Sequence, residues 1–315
     1  MRLFGKITAA AVLLALLPVP VVHAHEATPV CPKVAIVAAR GSEQNEEIQP
    51  TTYSEAAPQE FSSTGFEGPN IRGLLQHAES RYSQAHPMAS LLKNVDVIDL
   101  NDDIYPAELY LPAIAEKGEE VSFAEAAQRL IGIVSKQAPD RIIYTAVTGL
   151  VEGMKHAKTA VPRYISDYEQ HTNCRPSYIL VGFSQGALLL SNLEKFFAAT
   201  GRLAGVVYIG NPLLEKNHHH GLVIGGPESG TGLLGVVGER IRGKLSFAKD
   251  VNYADVPRIN VCQRADFACD TTIHSLSTSA RSRGGIHNSY FQEETKTPEE
   301  DLAADELAKL ITSQR

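Results

Sequence analysis

Ser184 is a candidate nucleophile because of the pentapeptide around it, Gly182-Phe183-Ser184-Gln185-Gly186. The apolar run 178–181 precedes the pentapeptide, and a helical pattern begins near Ala187. G-x-S-x-G between a strand and a helix is the setting of a nucleophile elbow, in which the glycines permit a tight turn and the serine hydroxyl stands above a sheet. The chemistry indicated is acyl transfer. Since Gly and Ser are common turn residues, the pentapeptide alone also fits an ordinary turn.

A serine hydroxyl needs a base to take its proton and a carboxylate to orient that base. In an α/β-hydrolase sheet these partners follow the serine in the order Ser, Asp, His. Asp266 is singled out because it lies between Cys262 and Cys269, just after an apolar run that ends at Val261. A disulfide there would hold a loop at a strand end, where a triad acid is needed, although a solvent-facing aspartate fits the same pattern. The other acids and the histidines downstream of the serine are Asp255, Asp270, His218, His219, His220, His274 and His287.

The first 24 residues read as a secretory signal peptide. Arg2 and Lys6 precede the apolar run 7–22, and Val22-His23-Ala24 fits a small-residue cleavage site. A membrane anchor is the alternative, but the run is shorter than the roughly 20 residues that span a bilayer, and Pro18 and Pro20 interrupt it. We therefore expect a secreted protein, with residues 25–315 forming a single domain, because no repeat or linker divides them.

Composition narrows the function classes further. With 43% hydrophobic residues the chain can bury a substantial core, and a formal net charge of −7 without a basic cluster argues against nucleic acid as a partner. Four cysteines in an exported chain predict two disulfides, for which three pairings exist. Zinc binding is the alternative, but the chain has no CxxC pair. We expect neither a metal nor a cofactor.

Apolar runs of strand length alternate with helical patterns, which predicts an α/β fold with a mostly parallel central sheet covered by helices on both faces. The last helix begins after Thr297, which can cap it, with Pro298 at its first position. The predicted strands are 34–39, 95–100, 178–181, 205–209 and 258–261, and the other predicted helices are 123–137, 148–168 and 187–199.

The stretch 216–249 contains three consecutive histidines and a G-x-G-x-x-G match at 230–235. A dinucleotide site would require that match directly after the first strand of a βαβ unit, and here it lies in a loop-like segment. Neighbouring histidines on a regular element point in different directions, so they cannot all reach one metal ion. We interpret the stretch as a solvated loop.

Together these motifs resemble the cutinase family. The pattern Cys262-x3-Asp266-x2-Cys269, followed by His287-x2-Tyr290, is similar to the family's C-x3-D-x2-C and H-x2-Y signature. The resemblance extends from about Cys31 to Tyr290. Its other carriers are the segments 39–42 (Ala-Arg-Gly-Ser), 105–107 (Tyr-Pro-Ala) and 182–187, together with Cys31-Pro32 and Cys174.

The resemblance implies a cutinase-like α/β-hydrolase three-layer sandwich. It also implies the triad Ser184, Asp266 and His287, and oxyanion donors at Ser42 and Gln185. The implied disulfides are Cys31–Cys174 and Cys262–Cys269. His274 is the rival base, but it lacks the following Tyr, and the Ser-, Arg- and Gly-rich segment 275–285 reads as a flexible loop that delivers His287.

The function expected is an exported serine carboxylic-ester hydrolase acting on lipid or other acyl esters, with an association with cell-envelope lipids among its expected partners. Phospholipase, polyester hydrolase or acyltransferase chemistry on the same triad is the alternative, and an inactive binding protein is the alternative from another class. Asn211-Pro212 replaces the family's frequent Asp-Pro. Extra length around 44–86, 117–141 and 216–249 could wall or cap the acyl site, so the cutin substrate is not carried over.

Overall fold

The centre of the protein is a six-stranded sheet whose paired strands all run parallel. It is seen in a computed structural model that describes residues 30–46, 48–109, 139–215, 221–236, 253–281 and 285–314. The strand order is β2-β1-β3-β4-β6-β5. The strands are β1 Val34–Ala39, β2 Val95–Asp99, β3 Ser177–Phe183, β4 Leu203–Ile209, β5 Leu222–Ile224 and β6 Arg258–Val261.

Helices cover both faces of this sheet. Residues of one strand point alternately to its two faces, so Ile36 packs under one helical layer and Val37 under the other. The first layer contains α1 (Pro69–Ala85) and α8 (Pro298–Thr312), and the second contains α2 (Pro139–Thr172), α3 (Gln185–Ser191) and α4 (Glu194–Ala199). The predicted three-layer α/β sandwich is confirmed. Short helices complete the described elements: α5 (Leu233–Val236), α6 (Ile273–Arg281), α7 (Ile286–Ser289) and a 3-10 turn (Gln59–Phe61).

Several predicted bounds were wrong. The segment 187–199 is two helices rather than one, since α3 ends at Ser191 and α4 begins at Glu194. The segment 275–285 is not simply a loop, because α6 occupies Ile273–Arg281. Inside the stretch 216–249, interpreted as a loop, β5 adds a strand at the edge of the sheet next to β6. The predicted helix 123–137 and the histidines 218–220 lie outside the described residues.

Two disulfides pair the four cysteines as Cys31–Cys174 and Cys262–Cys269. The first closes a separation of 143 residues and joins the segments that enter the neighbouring strands β1 and β3. Closing a long loop restricts the unfolded chain, so this bond is expected to stabilise the sheet by a few kcal/mol. The second closes a loop of seven residues directly after β6.

The last helix has the predicted N-terminus. Thr297 accepts a hydrogen bond from the backbone of Glu300, whose side chain returns one to the backbone of Thr297, and Pro298 takes the first position. Such a capping box satisfies two backbone donors that would otherwise have no partner. Within the parts of the chain that the structure describes, no helix is long and apolar enough to cross a membrane.

Candidate active site

Ser184 stands at the carboxyl end of β3, between β1 and β4, in a strained turn. Its φ is 53° and its ψ −115°, a region that non-glycine residues rarely adopt. The turn is tight because both flanking glycines touch backbone: a Cβ at Gly186 would lie 1.9 Å from the Ala39 carbonyl oxygen, and one at Gly182 would lie 2.6 Å from the Ala187 nitrogen. Strand, turn and helix thus form the elbow that the pentapeptide predicts.

Ser184, His287 and Asp266 form one continuous chain of hydrogen bonds. The Ser184 Oγ atom lies 2.8 Å from His287 Nε2. His287 Nδ1 lies 2.8 Å from Asp266 Oδ1 and 3.0 Å from Oδ2. Asp266 is fully buried and His287 is 4% exposed. In this arrangement the carboxylate fixes the imidazole with Nδ1 protonated, which leaves Nε2 as the acceptor for the serine proton.

Asp266 is itself held by two further donors. The Ala268 backbone N–H donates to Oδ1 at 2.8 Å, and the Tyr290 hydroxyl donates to Oδ2 at 2.7 Å. The Tyr290 oxygen in turn accepts the Gln263 N–H at 2.8 Å. Burial, and then the neighbouring Asp266 carboxylate, raise the pKa of Tyr290 well above its usual value, so it stays a neutral donor. The Tyr of the H-x2-Y motif therefore orients the carboxylate.

Aromatic rings fix the plane of the His287 imidazole. Phe183 stacks on it with centroids 4.9 Å apart, and Phe267 meets it edge-on at 4.8 Å. Gly210 lets the ring approach β4, because a Cβ there would lie 2.6 Å from His287 Cε1 and the backbone has a φ of 56°. The imidazole thus has few orientations available.

The rival acids and base lie elsewhere. Asp255 and His274 are exposed. Asp270 is buried, but it accepts hydrogen bonds from Ser229 and Ala265. Burial would raise the pKa of Asp270, and these hydrogen bonds outweigh it and lower the pKa. Asp270 therefore holds the neighbouring loops together as an ionised acceptor.

The two predicted oxyanion residues meet each other. The Ser42 hydroxyl donates to Gln185 Oε1 at 2.7 Å, across 143 residues of sequence. Gln185 begins α3 directly after Ser184 and is 4% exposed. Its Nε2 atom is buried and has no hydrogen-bond partner among the described residues. Both residues line the cleft that contains Ser184.

The side chain of Arg40 joins the segment 39–42 to the segment 105–107. Its buried guanidinium donates to the carbonyl oxygens of Leu100 at 2.5 Å and Tyr105 at 2.9 Å, and it forms an ion pair with Asp102. These contacts tie the loop after β1, which carries Ser42, to the loop after β2. Asn211 has a structural role as well, because its amide donates to Asn260 Oδ1 at 3.0 Å and accepts from the Leu213 N–H at 2.9 Å.

Two residues of the site were missed from the sequence. The Gly41 N–H donates to Gln44 Oε1 at 3.0 Å, and Gln44 Nε2 donates to Asn70 Oδ1 at 2.7 Å. Asn70 then donates to carbonyl oxygens beside His287. In the sequence, Asn70 is recognisable only as a residue in the first turn of the helix that starts at Pro69. No local pattern predicts its hydrogen bonds to Gln44 and to the segment after His287.

The cleft around Ser184 has a volume of about 880 Å³. Part of its lining is apolar and suits a hydrocarbon chain, since burying apolar surface is favourable. Six of these apolar residues are here called the apolar wall: Leu109, Leu150, Leu188, Leu233, Leu234 and Phe267.

No protein-family profile and no curated protein sequence matches this chain. Among solved structures, an acetylxylan esterase has 11% identity and a TM-score of 0.39, over 90% of this chain and 99% of the esterase. A cutinase-like protein from Cryptococcus sp. has 16% identity and a TM-score of 0.31, over 84% and 98%. Trichoderma reesei cutinase with a phosphonate inhibitor has 15% identity and a TM-score of 0.37, over 90% and 78%. These likenesses decide neither the family nor the activity, so the functional conclusion rests on the site.

Proposed function

We propose that the protein is an exported serine carboxylic-ester hydrolase that acts on lipid or other acyl esters. The observation that carries the proposal is the continuous Ser184–His287–Asp266 chain, with its two contacts at 2.8 Å, at the end of a parallel strand. These atoms have the spacing that a nucleophile, its base and the orienting acid require.

In the proposed reaction, Ser184 Oγ attacks the ester carbonyl carbon while His287 Nε2 takes the hydroxyl proton. The negative charge moves to the carbonyl oxygen, where the backbone N–H groups of Ser42 and Gln185 are the proposed donors. Each such donor contributes on the order of 3 kcal/mol to the stability of the transition state. His287 then gives the proton to the departing alcohol, which leaves an acyl group on Ser184. Attack by water, again through His287, releases the acid.

The apolar wall supports an acyl group with a hydrocarbon chain, as in lipid esters. Export is supported by the signal-peptide pattern of residues 1–24 and by the two disulfides, which persist in oxidising compartments. We place residues 25–315 in one domain and extend the proposal to association with cell-envelope lipids.

A series of p-nitrophenyl esters of increasing chain length tests the proposal. We expect turnover that depends on chain length and is lost in Ser184→Ala. The control Ser277→Ala, at a half-buried serine on α6 that does not line the cleft, should retain it. Equal turnover by Ser184→Ala and the wild type would overturn the proposal. Adding a competing alcohol separates hydrolysis from acyl transfer, because only transfer yields a new ester.

A further inference from the structure

A second cavity of about 450 Å³ adjoins the Ser184 cleft, and Ile48 and Pro69 line both. We call it the polar cavity. The polar and charged side chains that line it include Arg72, Gln76, His77, Glu293, Glu294 and Lys296.

The polar cavity is built in part by segments that also border the cleft next to His287. Two segments run from the cleft into it. Helix α1 contributes Asn70 to the cleft and Gln76 to the polar cavity, and the chain after His287 contributes Asn288 to the cleft and Gln292 to the polar cavity. Because His287 must protonate the departing oxygen, the alcohol part of an ester has to lie beside this imidazole. Most of the apolar wall comes from other segments, namely α2, α3 and α5.

The chemistry of the polar cavity fits an uncharged ligand with many hydroxyl groups. Arg72 is held by Glu67 at 2.9 Å and by the Gln49 carbonyl oxygen, while Lys296 donates to the Phe291 carbonyl oxygen at 3.2 Å. These cations are therefore positioned in advance. Glu293 and Glu294 add two carboxylates to the same lining, so the cavity offers hydrogen-bond donors and acceptors together with charges of both signs. A charged ligand would be attracted by the groups of opposite charge and repelled by the groups of like charge, so this lining favours an uncharged ligand.

We propose that the polar cavity binds the alcohol part of the substrate, and that this part is an uncharged polyhydroxylated group such as a sugar. The substrate would be an acyl sugar ester with its hydrocarbon chain on the apolar wall. This inference rests on the proposed ester hydrolase function, and it deepens that function by naming the alcohol.

The test compares esters that share a decanoyl chain: 6-O-decanoyl glucose, methyl decanoate, p-nitrophenyl decanoate and didecanoyl phosphatidylglycerol. Gln76→Trp and Gln292→Trp would fill the polar cavity from its two sides, and both positions are exposed, so folding is preserved. Gln84→Trp is the matched control, because Gln84 is exposed on the same helix and lines neither cavity.

We expect the wild type to prefer the glucose ester to the methyl ester. Each cavity-filling variant should lower kcat/KM for the glucose ester by about tenfold or more, the range over which pocket contacts discriminate substrates. The methyl ester, whose alcohol part is too small to fill the polar cavity, should lose less activity. The ratio of kcat/KM for the glucose ester to that for the methyl ester should therefore fall in both cavity-filling variants and stay at the wild-type value in Gln84→Trp. Equal losses on the glucose and methyl esters, no preference for the glucose ester, or preference for the phosphatidylglycerol would overturn the inference. Absent p-nitrophenyl turnover in the wild type would instead overturn the proposed function.

Discussion

The side-chain amide of Asn70 donates a hydrogen bond to the main-chain carbonyl oxygen of Tyr290, with an N–O distance of 2.8 Å. The same nitrogen lies 3.1 Å from the Asn288 carbonyl oxygen. The oxygen of the Asn70 amide accepts a hydrogen bond from Gln44 Nε2, and Gln44 Oε1 accepts one from the Gly41 N–H. One buried side chain on α1 thus holds both the oxyanion segment after β1 and the segment that carries His287.

Asn70→Ala should lower kcat more than it changes KM, because it releases two segments that must be aligned in the transition state. We expect a loss in kcat of about 10- to 100-fold, the size that misplaced catalytic groups produce. The matched control is Leu75→Ala, a buried leucine of the same helix. It should lower the melting temperature, because truncating a buried leucine costs about 2–5 kcal/mol, yet leave kcat unchanged. Equal kcat for Asn70→Ala and Leu75→Ala would show that Asn70 is only structural.

We expect the Gln185 side chain to assist catalysis by orienting the Ser42 hydroxyl, to which it is hydrogen-bonded. Rotating the Gln185 amide by 180° brings Nε2 against Ser42 Oγ, gives the buried N–H an acceptor and frees the Ser42 proton for an oxyanion. We therefore expect Gln185→Met to lower kcat by about tenfold, as for the loss of a weak oxyanion contact. In a Ser42→Ala background the same change should have no further effect. Independent losses that add in the double variant would contradict this coupling.

Tyr290→Phe should lower the free energy of unfolding. The change removes the donor to Asp266 Oδ2 and leaves the Gln263 N–H without its acceptor. An unsatisfied buried group costs about 1–3 kcal/mol, which urea titration can measure. Because the raised pKa keeps Tyr290 neutral, the loss should be the same from pH 5 to pH 9. A loss that appears only in alkaline solution would be inconsistent with this role.

Asp96→Asn should stabilise the protein above pH 6. Burial raises the pKa of Asp96 from 3.8 to about 6, even though the Tyr168 hydroxyl donates to it at 2.7 Å. The folded state therefore binds the Asp96 proton more tightly than the unfolded state, and stability falls as pH rises from about 4 to about 6. At pH 8 the variant should gain on the order of 3 kcal/mol, from 1.36 kcal/mol per pKa unit. Below pH 4 the gain should vanish. A gain independent of pH would rule out this cause.

Local pattern predicted most of the sheet, and the resemblance to the cutinase family named the residues that meet at Ser184. Five of the six strands are apolar runs long enough to be recognised, while β5 has three residues and was missed. The helix α6 was also missed, since its Ser-rich sequence resembles a loop. Its start was readable: Thr272 and Ser275 each accept the other's backbone N–H, at 2.9 and 2.8 Å, as in a capping box.

The supporting contacts could not be predicted because they join residues that are distant in sequence. Asn70 and Tyr290 are separated by 220 positions, and Ser42 and Gln185 by 143. A side-chain amide has no periodicity that marks its partners. Only the packing of α1 against the sheet brings Asn70 to the segment after His287.

The most direct test of the central claim is covalent labelling of Ser184. A fluorophosphonate reacts with a serine only when a base activates its hydroxyl. We predict that the folded protein gains one phosphonyl group by intact mass, that peptide mapping places it on Ser184, and that Ser184→Ala and His287→Ala are not labelled. A wild-type protein that remains unlabelled, or a label on another serine, would contradict the account.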